Sequence, residues 1–276
     1  MSSTPLHHAR LIFIGGGNMA RSLIGGLLQR GHQATAIHVV EPNAPLREAL
    51  QNDFGVTCHA DNSSIYDDAD CVLLVVKPQV MRTVCEGLRD KIGKAMLLSV
   101  AAGITTKQIS EWSGTATVIR CMPNTPALIG DGASGLFADA SVSDEQRALA
   151  SHLLEAVGIA RWIDDEARMD IVTALSGSGP AYVFYLVEAM STAASQLGLD
   201  ADTARDLAIQ TCLGAARMLS ESDEPADALR RRVTSPGGTT QAAIESLQAN
   251  HFAQIIADAI SSATERGKTL SAAAGG

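Results

Sequence analysis

The run Leu11-Ile12-Phe13-Ile14 ends abruptly in Gly15-Gly16-Gly17-Asn18-Met19-Ala20, and no other stretch restricts the fold of this chain as much. Four apolar residues before a glycine cluster read as a buried strand. Met19, Leu23, Leu27 and Leu28 then recur at helical spacing up to Gly31. The loop fits the pattern GxGxxG/A. Gly15 permits the tight turn, Gly17 lets a pyrophosphate approach the backbone, and the small Ala20 lets helix and strand pack closely. The helix start presents unpaired N–H groups to an anion. A strand, this loop and a helix in that order predict a dinucleotide site.

The pattern continues. Residues 36–40 read as a second strand, 45–51 as a helix, and 71–76 as a strand apolar on both faces, as a central parallel strand must be. Residues 95–100 and 116–121 repeat the theme. Two further strands are expected at 133–137 and 158–163, with a helix between them that starts at the cap Ser143 and has Gln146 three residues on. Alternating strands and helices imply a parallel sheet. The expected fold class is therefore α/β: an N-terminal Rossmann domain over 1–165, followed by an all-helical domain over 166–276. In the second part Ala204, Leu207, Ala208, Thr211, Cys212 and Ala215 stripe one helix, and Phe252, Ile255, Ile256, Ala259 and Ile260 another. A helix within 171–197 is apolar nearly all round. About 110 residues offer little protein to bury it in, so a subunit interface is expected.

Composition narrows the function classes. With 46% hydrophobic residues in 276, a sizeable core is available. A net charge of −9 argues against nucleic acid. The five cysteines are scattered without a CxxC pair, so reduced thiols in a cytoplasmic protein are expected and a metal site is not. The start lacks a secretory apolar stretch, and no apolar run approaches 18 residues, so no membrane span is expected.

The end of the second strand bears on the choice between NADH and NADPH. Glu41 stands there, 24 residues beyond Gly17. A carboxylate at that place can accept from the adenosine ribose hydroxyl and repel a 2′-phosphate, which favours NADH. Asn43 and Arg47 follow, and would meet a phosphate if Glu41 turned outward. In the blandest reading Glu41 only caps a loop.

Four more segments are specific: Val75-Val76-Lys77-Pro78-Gln79, residues 120–127 (RCMPNTPA), residues 175–182 (LSGSGPAY) and residues 233–240 (VTSPGGTT). Their order, wording and spacing resemble the pyrroline-5-carboxylate reductase family from the first strand to near the C-terminus. The resemblance implies a Rossmann domain, a helical dimerisation domain exchanged between two subunits, and a homodimer or a ring of dimers. It implies reduction of (S)-1-pyrroline-5-carboxylate to L-proline with NADPH or NADH. It places cofactor contacts at Ile14, Gly15, Gly16, Gly17, Asn18 and Met19, at Asn62, at Val75, Val76, Lys77 and Pro78, and at Val100, Ala101 and Ala102. Substrate contacts fall on Gly238, Thr239 and Thr240, with an acidic residue at Glu166. Many members carry Ser or Thr where this chain has Glu41, a departure that bears on the NADPH preference.

The residues themselves suggest the chemistry. Pro236 breaks the chain, Gly237 and Gly238 allow unusual backbone angles, and Thr239 or Thr240 begins a helix whose free N–H groups suit a carboxylate. A plain interhelical turn with a threonine cap is the competing reading. The hydroxyl of Thr240 can hold a ring nitrogen and relay a proton. Lys77, at a strand end beside Pro78, is expected to shape the cofactor pocket rather than act as an acid. A β-hydroxyacid dehydrogenase would use a lysine on a helix of its second domain, and residues 164–250 contain none. A redox-sensing module that only binds a nicotinamide would have no use for the 235–240 turn.

Overall fold

The computed structural model describes residues 6–61 and 65–274. The first strand, β1 (Leu11–Ile14), is buried on both faces and leads into α1 (Asn18–Gln29). β2 (Ile37–Val40), α2 (Ala44–Phe54) and the short β3 (Thr57–His59) follow. The chain then crosses to the other side of β1 as β4 (Cys71–Leu74), α3 (Pro78–Leu88), β5 (Met96–Ser99), α4 (Thr106–Ser113) and β6 (Val118–Met122). β7 (Gly132–Ala138), α5 (Asp144–Glu155) and β8 (Gly158–Trp162) complete the sheet. The strand order is β3-β2-β1-β4-β5-β6-β7-β8.

The expected α/β class and Rossmann layout hold, with refinements. Every pairing is parallel except β6 with β7. The apolar run 71–76 stays in the sheet only to Leu74, and Val75 and Val76 turn out into a loop. Ser143 caps α5 in the reciprocal arrangement with Gln146 that the spacing predicts.

Alternation along the strands sends side chains to two cores. Leu11, Phe13, Leu73 and Leu98 pack beneath α1, α2 and α5 with Leu23, Leu27 and Leu50. Ile12, Ile14, Val72, Leu74 and Leu97 pack beneath α3 and α4 with Met81, Cys85 and Ile109. Each fully buried Leu or Ile contributes about 1.5–3 kcal/mol relative to exposure. The five cysteines are free. Burial pushes the thiols of Cys85 and Cys121 up to about 12, so both stay protonated and inert at neutral pH.

The remainder is helical: α6 (Met169–Val172), a wide turn over Thr173–Gly177, α7 (Gly179–Gln196), α8 (Ala201–Glu221), α9 (Ala226–Arg232), α10 (Thr239–Ala249) and α11 (Phe252–Ala274). The single long helix expected within 171–197 is thus interrupted. At the wide turn the Ser178 N–H bonds the Thr173 carbonyl five residues back, at 2.8 Å.

By compactness the described residues form two units, one from within 1–178 together with 263–274 and one of 179–262. The second is thinly packed on itself. In α7 no residue is buried, and Phe184 and Tyr185 are 68% and 71% exposed. No helix among the described residues is long and apolar enough to cross a membrane.

Candidate active site

β1, β2, β4 and β5 end level with one another, Ile14 opposite Val40 and Leu74, and Leu74 opposite Ser99. Their loops therefore share one edge of the sheet. The chain reverses its order between β1 and β4, and open α/β sheets bind ligands at such a point.

Gly15 has φ +102°, and a Cβ there would stand 2.5 Å from the Val75 carbonyl oxygen. The loop is held closely by its neighbours, with the Gly15 N–H on Val40 O and the Val75 N–H on Ile14 O, both at 2.9 Å. Gly17 is the N-cap of α1, and a Cβ built on it meets nothing within 4 Å. The outer face of the loop is thus open where Asn18 and Met19 begin the helix and its first-turn amides lack helical acceptors. These residues fit a pyrophosphate.

Glu41 turns inward. Its Oε2 accepts from the Gly16 N–H and its Oε1 from the Asn43 N–H, each at 2.9 Å, and the residue is 9% exposed. Arg47 Nη1 donates to the backbone carbonyls of Glu41 (2.7 Å) and Pro42 (2.8 Å). Asn43 caps α2 by accepting from the Leu46 N–H. Glu41 thereby ties the glycine loop to the end of β2, whatever else it meets.

Val75 and Val76 form the loop after β4. Lys77 is the exposed N-cap of α3, and Pro78 is its first residue. After β5, the Val100 N–H bonds Leu74 O at 3.2 Å and the Ala101 N–H bonds Ser99 Oγ at 3.3 Å. Ala102 and Pro78 line a cavity of about 580 Å³ in the first unit, together with Arg82, Trp112, Asp170 and Thr173. Asn62 lies outside the described residues.

Glu166 also belongs to the first unit. Its Oε1 accepts from the Thr106 N–H at 2.8 Å and its Oε2 from the Thr106 hydroxyl at 2.9 Å. Arg120, 3% exposed, lies between Glu166 (3.5 Å) and Asp170 (3.4 Å). Sequence reasoning quoted Arg120 without giving it a role and missed Thr106 and Asp170. One signal was available: Arg120 interrupts an apolar strand, and a guanidinium at a buried strand position needs carboxylate partners.

In the second unit the turn 235–240 links α9 to α10. Gly237 takes φ +71°, a left-handed conformation that other side chains rarely adopt, and its N–H bonds Gln241 Oε1 at 2.7 Å. The Gly238 N–H goes to Ser235 O at 3.0 Å. The plain threonine cap is not what forms: the N-cap of α10 is Gly238, with no side-chain cap bond. Thr239 and Thr240 are the first two helical residues, and their N–H groups have no acceptor among the described residues. Gly238 thus shapes the turn while Thr239 and Thr240 offer the free amides.

Comparison with known proteins agrees with this arrangement. Residues 10–103 match the family described as NADP oxidoreductase, coenzyme F420-dependent, and residues 166–270 match pyrroline-5-carboxylate reductase dimerisation. The pyrroline-5-carboxylate reductase of Pseudomonas aeruginosa is 50% identical over 97% of both chains. That of Haemophilus influenzae is 42% identical over 96% of this chain and 98% of its own. Among solved structures, the Coxiella burnetii pyrroline-5-carboxylate reductase superposes with a TM-score of 0.91 at 40% identity, over 95% of this chain and 98% of that one. The Plasmodium falciparum pyrroline carboxylate reductase, crystallised with NADP bound, gives 0.82 at 26% identity, over 97% and 100%. With a glycine loop at the switch point, a helical dimerisation segment later in the chain and identity running the length of its relatives, the chain belongs to the pyrroline-5-carboxylate reductase family.

Proposed function

We propose that this protein reduces (S)-1-pyrroline-5-carboxylate to L-proline with NAD(P)H, the last step of proline synthesis. The observation that carries the reading is the 50% identity to a pyrroline-5-carboxylate reductase over 97% of both chains. A bound NAD(P)H supplies the hydride that the C=N carbon of the ring accepts. Residues Ile14 to Met19 hold its pyrophosphate on the first amides of α1. Glu41 keeps that loop in place, Val75 to Pro78 and Val100 to Ala102 wall the site, and Asn62 completes the set. The closed packing of Gly15 against Val75 and the open face at Gly17 support these roles.

The substrate's carboxylate is assigned to the amides of Thr239 and Thr240 on the turn shaped by Gly238, because an uncapped helix start attracts an anion. Thr240 is the catalytic candidate: its hydroxyl holds the ring nitrogen and moves a proton to it, keeping the imine protonated as it accepts hydride. Positioning the imine against the nicotinamide ring is the protein's other contribution to the rate. Residues 1–165 serve the cofactor, and 166–276 serve substrate and assembly. The protein works as a homodimer or ring of such dimers in the cytoplasm, without nucleic acid, as its charge of −9 supports.

The test follows the loss of nicotinamide absorbance at 340 nm with pyrroline-5-carboxylate, NADPH and NADH in separate assays, beside a hydroxy-acid control run with oxidised cofactor. Turnover with the imine and none with the hydroxy acid is expected. The reverse result would overturn the reading.

A further inference from the structure

We propose that Glu166 is a positioning residue for this reduction: it clamps the start of α4 and so fixes the Val100–Thr105 loop that walls the cofactor site, rather than binding substrate. The inference rests on the reading above for the role of Val100 to Ala102.

Three helix starts in this chain can be compared. At α1 and at α10 the N-cap is glycine without a side-chain bond, and the first amides are left for a ligand. At α4 the start is closed. The Thr105 N–H goes to Gln108 Oε1 (2.8 Å), the Gln108 N–H to Thr105 Oγ1 (3.2 Å), and the Thr106 N–H to Glu166 Oε1 (2.8 Å). The second Glu166 oxygen takes the Thr106 hydroxyl at 2.9 Å. Glu166 reaches across 60 residues of sequence to do this. Both oxygens are thus engaged by one residue, in a place where the carboxylate also meets a positive helix end.

The loop between β5 and α4 runs from Val100 to Thr105. Its near end is pinned to the sheet through Val100 N–H on Leu74 O and through Ala101 N–H on Ser99 Oγ. Its far end is pinned by Glu166, which among the described residues is the one side chain outside α4 and its cap that hydrogen-bonds there. Arg120 stands behind the clamp. At 3.4–3.5 Å its contacts are longer than good hydrogen bonds, so it serves as the buried counter-charge that holds Glu166 and Asp170 near each other. Asp170 extends the network to the Ser271 hydroxyl at 3.5 Å. A side chain so occupied, with 21% of its surface exposed, is poorly placed to recognise a second ligand.

The experiment compares Glu166→Gln with the wild type by the Kd of NADPH, from quenching of protein fluorescence, and by the KM of pyrroline-5-carboxylate at saturating cofactor. The glutamine can accept from the Thr106 N–H but cannot supply the second charged acceptor. Loss of one charge-assisted bond corresponds to about a tenfold change if it is transmitted to the loop. A cofactor Kd raised about tenfold with the imine KM within about twofold is expected. Thr106→Val removes only the hydroxyl bond, so it should move the Kd the same way by about threefold. It carries the comparison if Glu166→Gln does not fold. An imine KM that rises while the cofactor Kd stays put makes Glu166 a substrate ligand and overturns the proposal. A lowered melting temperature with both constants unchanged makes it merely structural and overturns it as well. If the wild type binds NADPH yet leaves the imine untouched, the functional reading fails, while the Kd comparison still decides the clamp.

Discussion

Asn124 donates its side-chain amide to the carbonyl of Ser176 at 3.0 Å. In a continuous helix that oxygen would accept from residue 180, but residue 180 is proline and has no N–H. The other end of the same side chain accepts from the Ala133 N–H at 2.9 Å. One asparagine thus satisfies the first residues of β7 and the helix break that Pro180 creates. Asn124→Ala should lower unfolding stability by about 1–3 kcal/mol, because a part-buried carbonyl and amide lose their partner. Urea denaturation measures it, and a change under about 0.5 kcal/mol would mean that water replaces the side chain freely.

Gly15→Ala should abolish tight cofactor binding. The left-handed conformation alone costs a residue with a Cβ about 1–2 kcal/mol, and the new methyl must also displace the Val75 carbonyl from 2.5 Å. Binding of NADPH weaker by at least about tenfold is the expected titration result. Unchanged affinity would mean that the loop relaxes without penalty.

Thr240→Ala should lower kcat by about 100-fold if its hydroxyl relays the proton, and Thr240→Ser should keep most of the rate. Single-turnover kinetics over a pH series separate this from a binding defect. Equal kcat for the two variants would leave the amide, not the hydroxyl, as the useful part of the residue.

His32 makes stability depend on pH. It is 4% exposed, and its Nε2–H donates to Ala9 O at 3.0 Å, which leaves Nδ1 as the unprotonated nitrogen. Burial holds its pKa below the ordinary value, with His152, His7 and His8 adding to the effect against the Ala9 bond. The folded state therefore resists a proton that the unfolded chain takes up below about pH 6.5. The contribution of His32 is complete above that pH and is lost as pH falls towards the lowered folded value. Urea midpoints at pH 7.5 and 5.5 should differ, and His32→Gln should narrow the difference.

Phe184→Glu or Tyr185→Glu should convert the assembled protein to monomer in sedimentation velocity. Both rings are more than two-thirds exposed on α7, inside the segment that matches the dimerisation family, and a buried unpaired carboxylate is strongly unfavourable. A sedimentation coefficient like that of the wild type would place the subunit interface elsewhere.

The glycine loop and the central strands were legible because their signals are local: an apolar run, a glycine pattern, a helical stripe. β3 was not. Thr57-Cys58-His59 is three residues long, polar and paired on one side only, so it carries neither alternation nor an apolar run. Val75 and Val76 look like strand and are loop, since the ladder stops where α3 must start. The reversed direction of β7 leaves no mark in composition. At the candidate site the resemblance marked Glu166, but its attachment to Thr106 depends on a contact 60 residues apart that no spacing rule reports. Pro180 carries the signal of a break that the expectation of one helix within 171–197 passes over, and the residue that mends it, Asn124, lies in another motif altogether.

The last turns of α11 carry a consequence for how the protein is made. Residues 263–274 pack with the Rossmann unit, and Ser271 approaches both Asp170 and the backbone at Gly103. The nucleotide-binding half is therefore discontinuous in the chain. On the ribosome, domains usually fold from the N-terminal end as they emerge, but this one must wait until the intervening helices have been made and its last segment follows them out.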